Sequence, residues 1–145
     1  MLSNSSKYAI RAIVYLALND HQEKIGIKQI ANDLDIPSPF LGKILQSLVK
    51  HKLLASSKGP HGGFGLARSS KEITLRDIVE IIDGLDFFES CLIGLKSCSD
   101  PDIHTHCPTH DKYGPIREQL GKLFQEETIG ELAEKIRENK EFIKI

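Results

Sequence analysis

Pro37 and Pro39 stand between two runs of helical apolar spacing, and one continuous helix cannot pass through both. Before them, Ile27, Ile30, Ala31 and Leu34 recur as on a short helix. After them, Phe40, Leu41, Ile44, Leu45, Leu48 and Val49 mark the buried stripe of a longer one. Asp35-Ile36-Pro37 is therefore read as a turn. Ser38-Pro39 starts the next helix, with Ser38 as an oxygen-bearing cap and Pro39 at the first helical position. Two short helices angled by a tight turn need a third element over their apolar faces. The segment from Ser5 to Leu18 supplies it, with Ala9, Ile10, Ile13, Val14, Leu16 and Ala17 on one broad face.

Beyond the third helix, Leu53, Leu54 and Ala55 form a short apolar run. Gly59-Pro60-His61-Gly62-Gly63 then makes a turn before Phe64-Gly65-Leu66-Ala67, the pattern of two small strands. Thr74 with Asp77 three residues on predicts a capped fourth helix carrying Leu75, Ile78, Val79, Ile81 and Ile82, and Gly84 ends it. From Asp86 to His110 apolar periodicity disappears. It returns in Tyr113, Ile116, Leu120, Leu123 and Phe124, one face of an amphipathic helix with Pro115 in its first turn. Thr128 and Glu131 predict a capping box for a last helix through Leu132 and Ile136, and Glu141 to Ile145 are expected to fray. The fold class is mainly α with a small β-hairpin.

A chain of 145 residues is one ordinary domain with a short extension, which excludes large multidomain enzymes. The longest apolar run, Ala12 to Leu18, falls far short of the roughly 20 residues of a membrane span. Met1-Leu2-Ser3-Asn4 has no secretory pattern, so a cytoplasmic location is expected. The net charge of -1 conceals an asymmetry: residues 1–70 hold nine Lys/Arg against four Asp/Glu, residues 71–145 ten against sixteen. A basic first half beside an acidic second half points the first half at a polyanion.

A short helix, a turn and a second helix with a polar face are the parts of a helix-turn-helix, and the hairpin makes it winged. Ser38 and Pro39 lie at the amino end of the candidate recognition helix, where hydroxyl and N–H groups meet phosphate or a base edge. Lys43, Gln46, Ser47 and Lys50 follow on its polar face, the lysines suited to phosphate and Gln46 or Lys43 to a base edge. In the hairpin, Lys58 and His61 flank a turn in which Gly62 and Gly63 permit close backbone approach, as in a wing tip reaching a minor groove. A nucleotide-binding loop is the rival reading. It is disfavoured because the turn lacks GxGxxG and GK[ST] spacing and no helix follows directly.

Three cysteines, Cys91, Cys98 and Cys107, cannot all pair within one chain. Together with His110, three residues after Cys107, they could hold a metal centre. Zinc sites commonly pair ligands through short C-x2-4-C spacings, which are missing here, so the wide gaps favour an iron-sulfur cluster while zinc and thiol redox chemistry stay open.

The sequence resembles the Rrf2 family of bacterial winged-helix regulators. The likeness rests on Lys7-Tyr8-Ala9, Ile30-Ala31 with Leu34, Leu45 to Leu54, and above all Gly59-Pro60-His61-Gly62-Gly63-Phe64-Gly65-Leu66 followed by Ile73-Thr74-Leu75-Arg76-Asp77-Ile78-Val79. It implies a homodimer on an imperfect palindrome of double-stranded DNA and three segments: residues 1–85 as the winged helix-turn-helix, 86–110 as a cluster-binding loop, and 111–145 as a dimerisation helix plus a C-terminal helix. Leu120 and Leu123 are then expected to face the partner copy. The cluster-binding branch implies a [2Fe-2S] or [4Fe-4S] centre on Cys91, Cys98 and Cys107. The branch resembling the cluster-assembly regulator adds a histidine at the place of His110, with His104 and His106 as rivals. In the nitric-oxide-sensing branch an acidic residue near the amino terminus ligates iron, and its place here is taken by Lys7. Gly42 stands where assembly-regulator relatives carry an acidic residue, so the resemblance does not by itself imply their operator preference. The expected function is a transcription regulator, not an enzyme, whose cluster reports iron, redox or nitric oxide status. The alternatives are a cluster-free regulator gated by a metabolite or protein partner, and a thiol redox protein.

Overall fold

A computed structural model describes residues 2–97, 100 and 107–139. Helix α1, Asn4–Leu18, begins where the Ser3 side chain accepts a hydrogen bond from the Ser6 N–H, and it buries Ala9, Ala12, Ile13, Leu16 and Ala17. Helix α2, Ile27–Leu34, ends at Asp35 in the left-handed conformation, φ 53°. That residue reverses the chain, and Ile36 drops into the core with its N–H donating to the Ala31 carbonyl at 2.9 Å. Helix α3, Ser38–Lys50, starts one residue earlier than the sequence suggests: Pro37 is the N-cap, Ser38 the first helical residue, and no side chain caps. The Pro37 carbonyl accepts the first helical bond, from Leu41 N–H at 3.0 Å, so the extended backbone at Pro37 starts the helix.

Strands β1, Leu54–Ser57, and β2, Gly63–Leu66, pair antiparallel with Leu54 opposite Leu66 and Ser57 opposite Gly63. The chain ahead of α2 joins them: Ile25 and Phe64 exchange main-chain hydrogen bonds of 2.9 and 2.8 Å. Gly63, φ 150°, is required there, because a Cβ on it would lie 2.3 Å from the Ile25 carbonyl oxygen. A Cβ on Gly65 would meet the Glu23 carbonyl oxygen at 2.5 Å.

A 3-10 turn over Ser70–Glu72 leads to helix α4, Leu75–Ile82, which carries the expected Thr74–Asp77 capping box and is followed by Gly84 at φ 83°. The stretch read as lacking structure opens with a short helix, α5, Asp86–Glu89. Four residues are too few for periodicity to show, and tertiary contacts hold them: Phe88 packs with Val79 and Phe124. Ring centroids of Phe87, Phe88 and Phe124 lie 4.9 to 5.7 Å apart, and the Arg76 guanidinium stands 4.9 Å over Phe88. Helix α6, His110–Glu126, begins three residues before its apolar pattern, so Pro115 lies inside the helix and not in its first turn.

Helix α7, Ile129–Glu138, has the expected Thr128–Glu131 capping box and returns to the first half of the chain. Ile129 and Ala133 belong to the same core as Ile13, Leu41 and Leu45. Main-chain bonds from Ile129 N–H to the Ile73 carbonyl and from Leu75 N–H to the Glu127 carbonyl tie the two capping boxes together. Among the described residues no helix is long and apolar enough to cross a membrane.

Candidate nucleic-acid interface and cysteine site

Helix α3 divides as its sequence implies except at Phe40, which is expected in the buried stripe and is exposed instead. Leu41, Ile44, Leu45 and Leu48 are buried, while Pro39, Lys43, Gln46 and Lys50 are exposed and Ser38 and Ser47 half-buried. The expected contact residues thus share one outward face. Phe40, 39% exposed, is steadied by an edge-on contact with Tyr8, ring centroids 5.6 Å apart. Gly42 faces α2: a Cβ there would sit 3.3 Å from Ile27 Cδ1, a tight contact where the two helices cross.

In the hairpin, Lys58 and His61 are exposed at the tip and Gly62 and Gly63 half-buried. A Cβ on Gly62 would stand 2.3 Å from the Ser57 carbonyl oxygen, so both glycines are required by contacts within the chain itself.

The second site lies where α5 meets α6. Cys91 follows α5, Cys107 precedes α6, and their Sγ atoms are 3.2 Å apart, well beyond a covalent bond. Cys107 Sγ also lies 3.3 Å from Thr109 Oγ1. His110 is the first residue of α6, with its N–H donating to the Cys107 carbonyl at 2.9 Å. Cys98, His104 and His106 lie outside the described residues. Among the described residues no three metal-ligating side chains converge, so the two sulfurs and His110 do not by themselves form a ligand set. What the structure does bring together is the thiol pair, a soft donor set suited to iron or zinc. Gly94 packs closely against it: a Cβ there would lie 3.1 Å from Cys91 Sγ, tighter than an ordinary contact.

Several supports of this site carry no signal of their own in the sequence. Arg117, on α6, donates from Nη1 to the carbonyls of Glu89 at 3.2 Å and Ser90 at 3.3 Å, fixing the segment that enters Cys91. Ser97, immediately before Cys98, pairs with Ser90 and donates its hydroxyl to the Glu89 carbonyl at 2.9 Å. Cys91 also lines an open cleft of about 870 Å³ with Lys7, Asp86, Phe87, Tyr113 and Leu120. Asp83, on the rim, accepts from the Ser3 N–H at 3.2 Å and from the Ser3 hydroxyl. Burial pushes its carboxyl up, but the Ser3 bonds outweigh that and hold it below the ordinary carboxylate range. Leu120 packs within the chain beside Phe124, whereas Ile116 and Leu123 on the same helix are 60% and 53% exposed.

Three comparisons bear on this arrangement. The family pattern named Rrf2, described as "Iron-dependent Transcriptional regulator", matches residues 2–135. A protein of Aquifex aeolicus named as an HTH-type transcriptional regulator is 35% identical over 132 residues, covering 91% of this chain and 90% of that one. The HTH-type transcriptional regulator IscR of Sodalis glossinidius is 26% identical over 131 residues, covering 90% and 77%. Among solved structures, CymR, the global cysteine regulator of B. subtilis, superposes with a TM-score of 0.76 at 19% identity, covering 93% of this chain and 97% of that one. T. potens IscR superposes at 0.73 and 20%, covering 93% and 87%. At these identities the two superpositions speak for the fold alone.

Proposed function

The chain belongs to the Rrf2 family of transcriptional regulators, and from that premise we propose that it binds an imperfect palindromic operator as a cytoplasmic homodimer under the control of an iron-sulfur cluster. The cluster, [2Fe-2S] or [4Fe-4S], is held by Cys91, Cys98, Cys107 and His110 and reports iron, redox or nitric oxide status. The observation that carries this reading is the approach of Cys91 and Cys107 to 3.2 Å from opposite sides of the α5–α6 junction. When bound, such a centre supplies one-electron redox chemistry and sensitivity to oxidants. Cys91, Cys98 and Cys107 would hold the group, with Cys91 following α5 and Cys107 preceding α6. Arg117 and Ser97 hold the backbone around Cys91 ready for it.

At the DNA, Lys43, Lys50 and Lys58 take phosphates, Gln46 meets a base edge, and Ser38 with Pro39 brings the start of α3 to the groove; Ser47, His61, Gly62 and Gly63 complete the contact surface. The test is anaerobic purification with iron and sulfide analysis, followed by operator affinity of the loaded protein and of Cys98→Ala at one salt concentration. Iron with acid-labile sulfide, and an affinity difference between the two proteins, is the expected result. Equal affinities would remove the switch while leaving DNA binding intact.

The cleft beside Cys91 favours a second reading, a cluster-free regulator gated by a small metabolite. Protein made without oxygen that holds no iron yet binds its operator normally would select it.

A further inference from the structure

We propose that Cys91 and Cys107 form an intramolecular disulfide when the cluster-free chain meets a peroxide, and that the bond bars cluster loading until a dithiol reduces it. The geometry is the reason. The two sulfurs must close from 3.2 Å to about 2.05 Å, a shift of roughly 1 Å, while the chain around them is already held. Cys91 leaves α5 under the two Arg117 hydrogen bonds, and α5 is fastened to α6 through Phe88 and Phe124. Cys107 is three residues from the start of α6, so both thiols are carried by one rigid corner. Each is half-buried, and Cys91 lines the open cleft, through which a small peroxide reaches the pair.

The chemistry balances without the cluster. One thiolate attacks a peroxide oxygen, giving a sulfenic acid and, for hydrogen peroxide, one water. The other thiol attacks the sulfenic sulfur and expels a second water. Two thiol hydrogens and two electrons leave the protein, and the peroxide is reduced. With both sulfurs bonded to each other, neither can ligate iron. The consequence for loading rests on the cluster reading above; the disulfide itself does not.

The experiment treats reduced, cluster-free full-length protein with hydrogen peroxide under oxygen-free conditions and maps the disulfide without reduction. Cleavage after lysine and before aspartate cuts at Lys96, Asp100 and Asp102 and so puts each cysteine on its own peptide. The expected product is a Cys91–Cys107 linked pair, about 2 Da lighter than the two thiol peptides together, formed equally by Cys98→Ala and not by Cys91→Ser. Oxidised protein is then expected to take up iron and sulfide at least about tenfold less than reduced protein, with recovery after dithiothreitol. A dominant link through Cys98, or between chains, overturns the proposal even if reduced protein loads a cluster. If the Cys91–Cys107 link forms but reduced protein loads nothing, the disulfide stands and the cluster reading fails.

Discussion

Single side chains on α3 and the wing are exposed without packing roles, so their removal reads out contact alone. Lys43→Ala and Lys58→Ala are each expected to weaken operator binding and to flatten the dependence of log affinity on log salt by about one unit, the release of one counterion per phosphate contact. Titrations at several salt concentrations check this, and an unchanged slope returns the residue to a solvated surface. Asp83 makes a pH-dependent contribution. Its carboxyl titrates below the ordinary value of 3.8, so its stabilising effect is complete above that value and is lost as pH falls through the lower native one. Asp83→Asn is therefore expected to cost about 1 kcal/mol at neutral pH, with the difference from the parent shrinking as pH is lowered beneath the ordinary carboxylate range in denaturant titrations. None of this bond was legible in the sequence, because Ser3 and Asp83 are 80 residues apart and neither spacing nor composition connects them.

Among the elements, the two capping boxes were plain from Thr74–Asp77 and Thr128–Glu131, since the motif is local and its chemistry complete within four residues. Thr74→Ala is expected to lower unfolding free energy by about 1 kcal/mol, measured by chemical denaturation. The hairpin was legible too, yet its glycines carry a meaning that turn patterns do not reveal. Gly63 is held by the neighbouring Ile25 segment, so Gly63→Ala is expected to destabilise by about 2–3 kcal/mol and to lower the melting temperature. An alanine variant as stable as the parent would mean that the strand beside Phe64 is not built as described. Helix α5 escaped notice because it owes its form to distant neighbours, Arg76 and Val79 from α4 and Phe124 from α6. The start of α6 was placed late because His110, Asp111 and Lys112 add nothing to an apolar pattern.

For the molecule as a whole, α6 leaves Ile116 and Leu123 exposed while Leu120 turns inward. The sequence put Leu120 and Leu123 on one outward face; the Phe88–Phe124 cluster, formed by residues far apart in the chain, separates them. Sedimentation at micromolar concentration is expected to give twice the 16.2 kDa chain mass. The double variant Ile116→Asp/Leu123→Asp is expected to return to a single chain with its helical circular dichroism intact, since neither residue serves the core. A parent protein that sediments as one chain would refute the homodimer. Helix α6, 17 residues and about 25 Å long, joins two very different anchorages. Its far end runs directly into Glu127 and Ile129, whose main chain is stitched to Leu75 and Ile73, while its near end abuts the thiol pair. A rod pinned at one extremity cannot slide along its own axis. A rearrangement of the sulfurs therefore bears on the flank of the rod, where Arg117 grips the Glu89 and Ser90 carbonyls and Phe124 abuts Phe88, and not along its length.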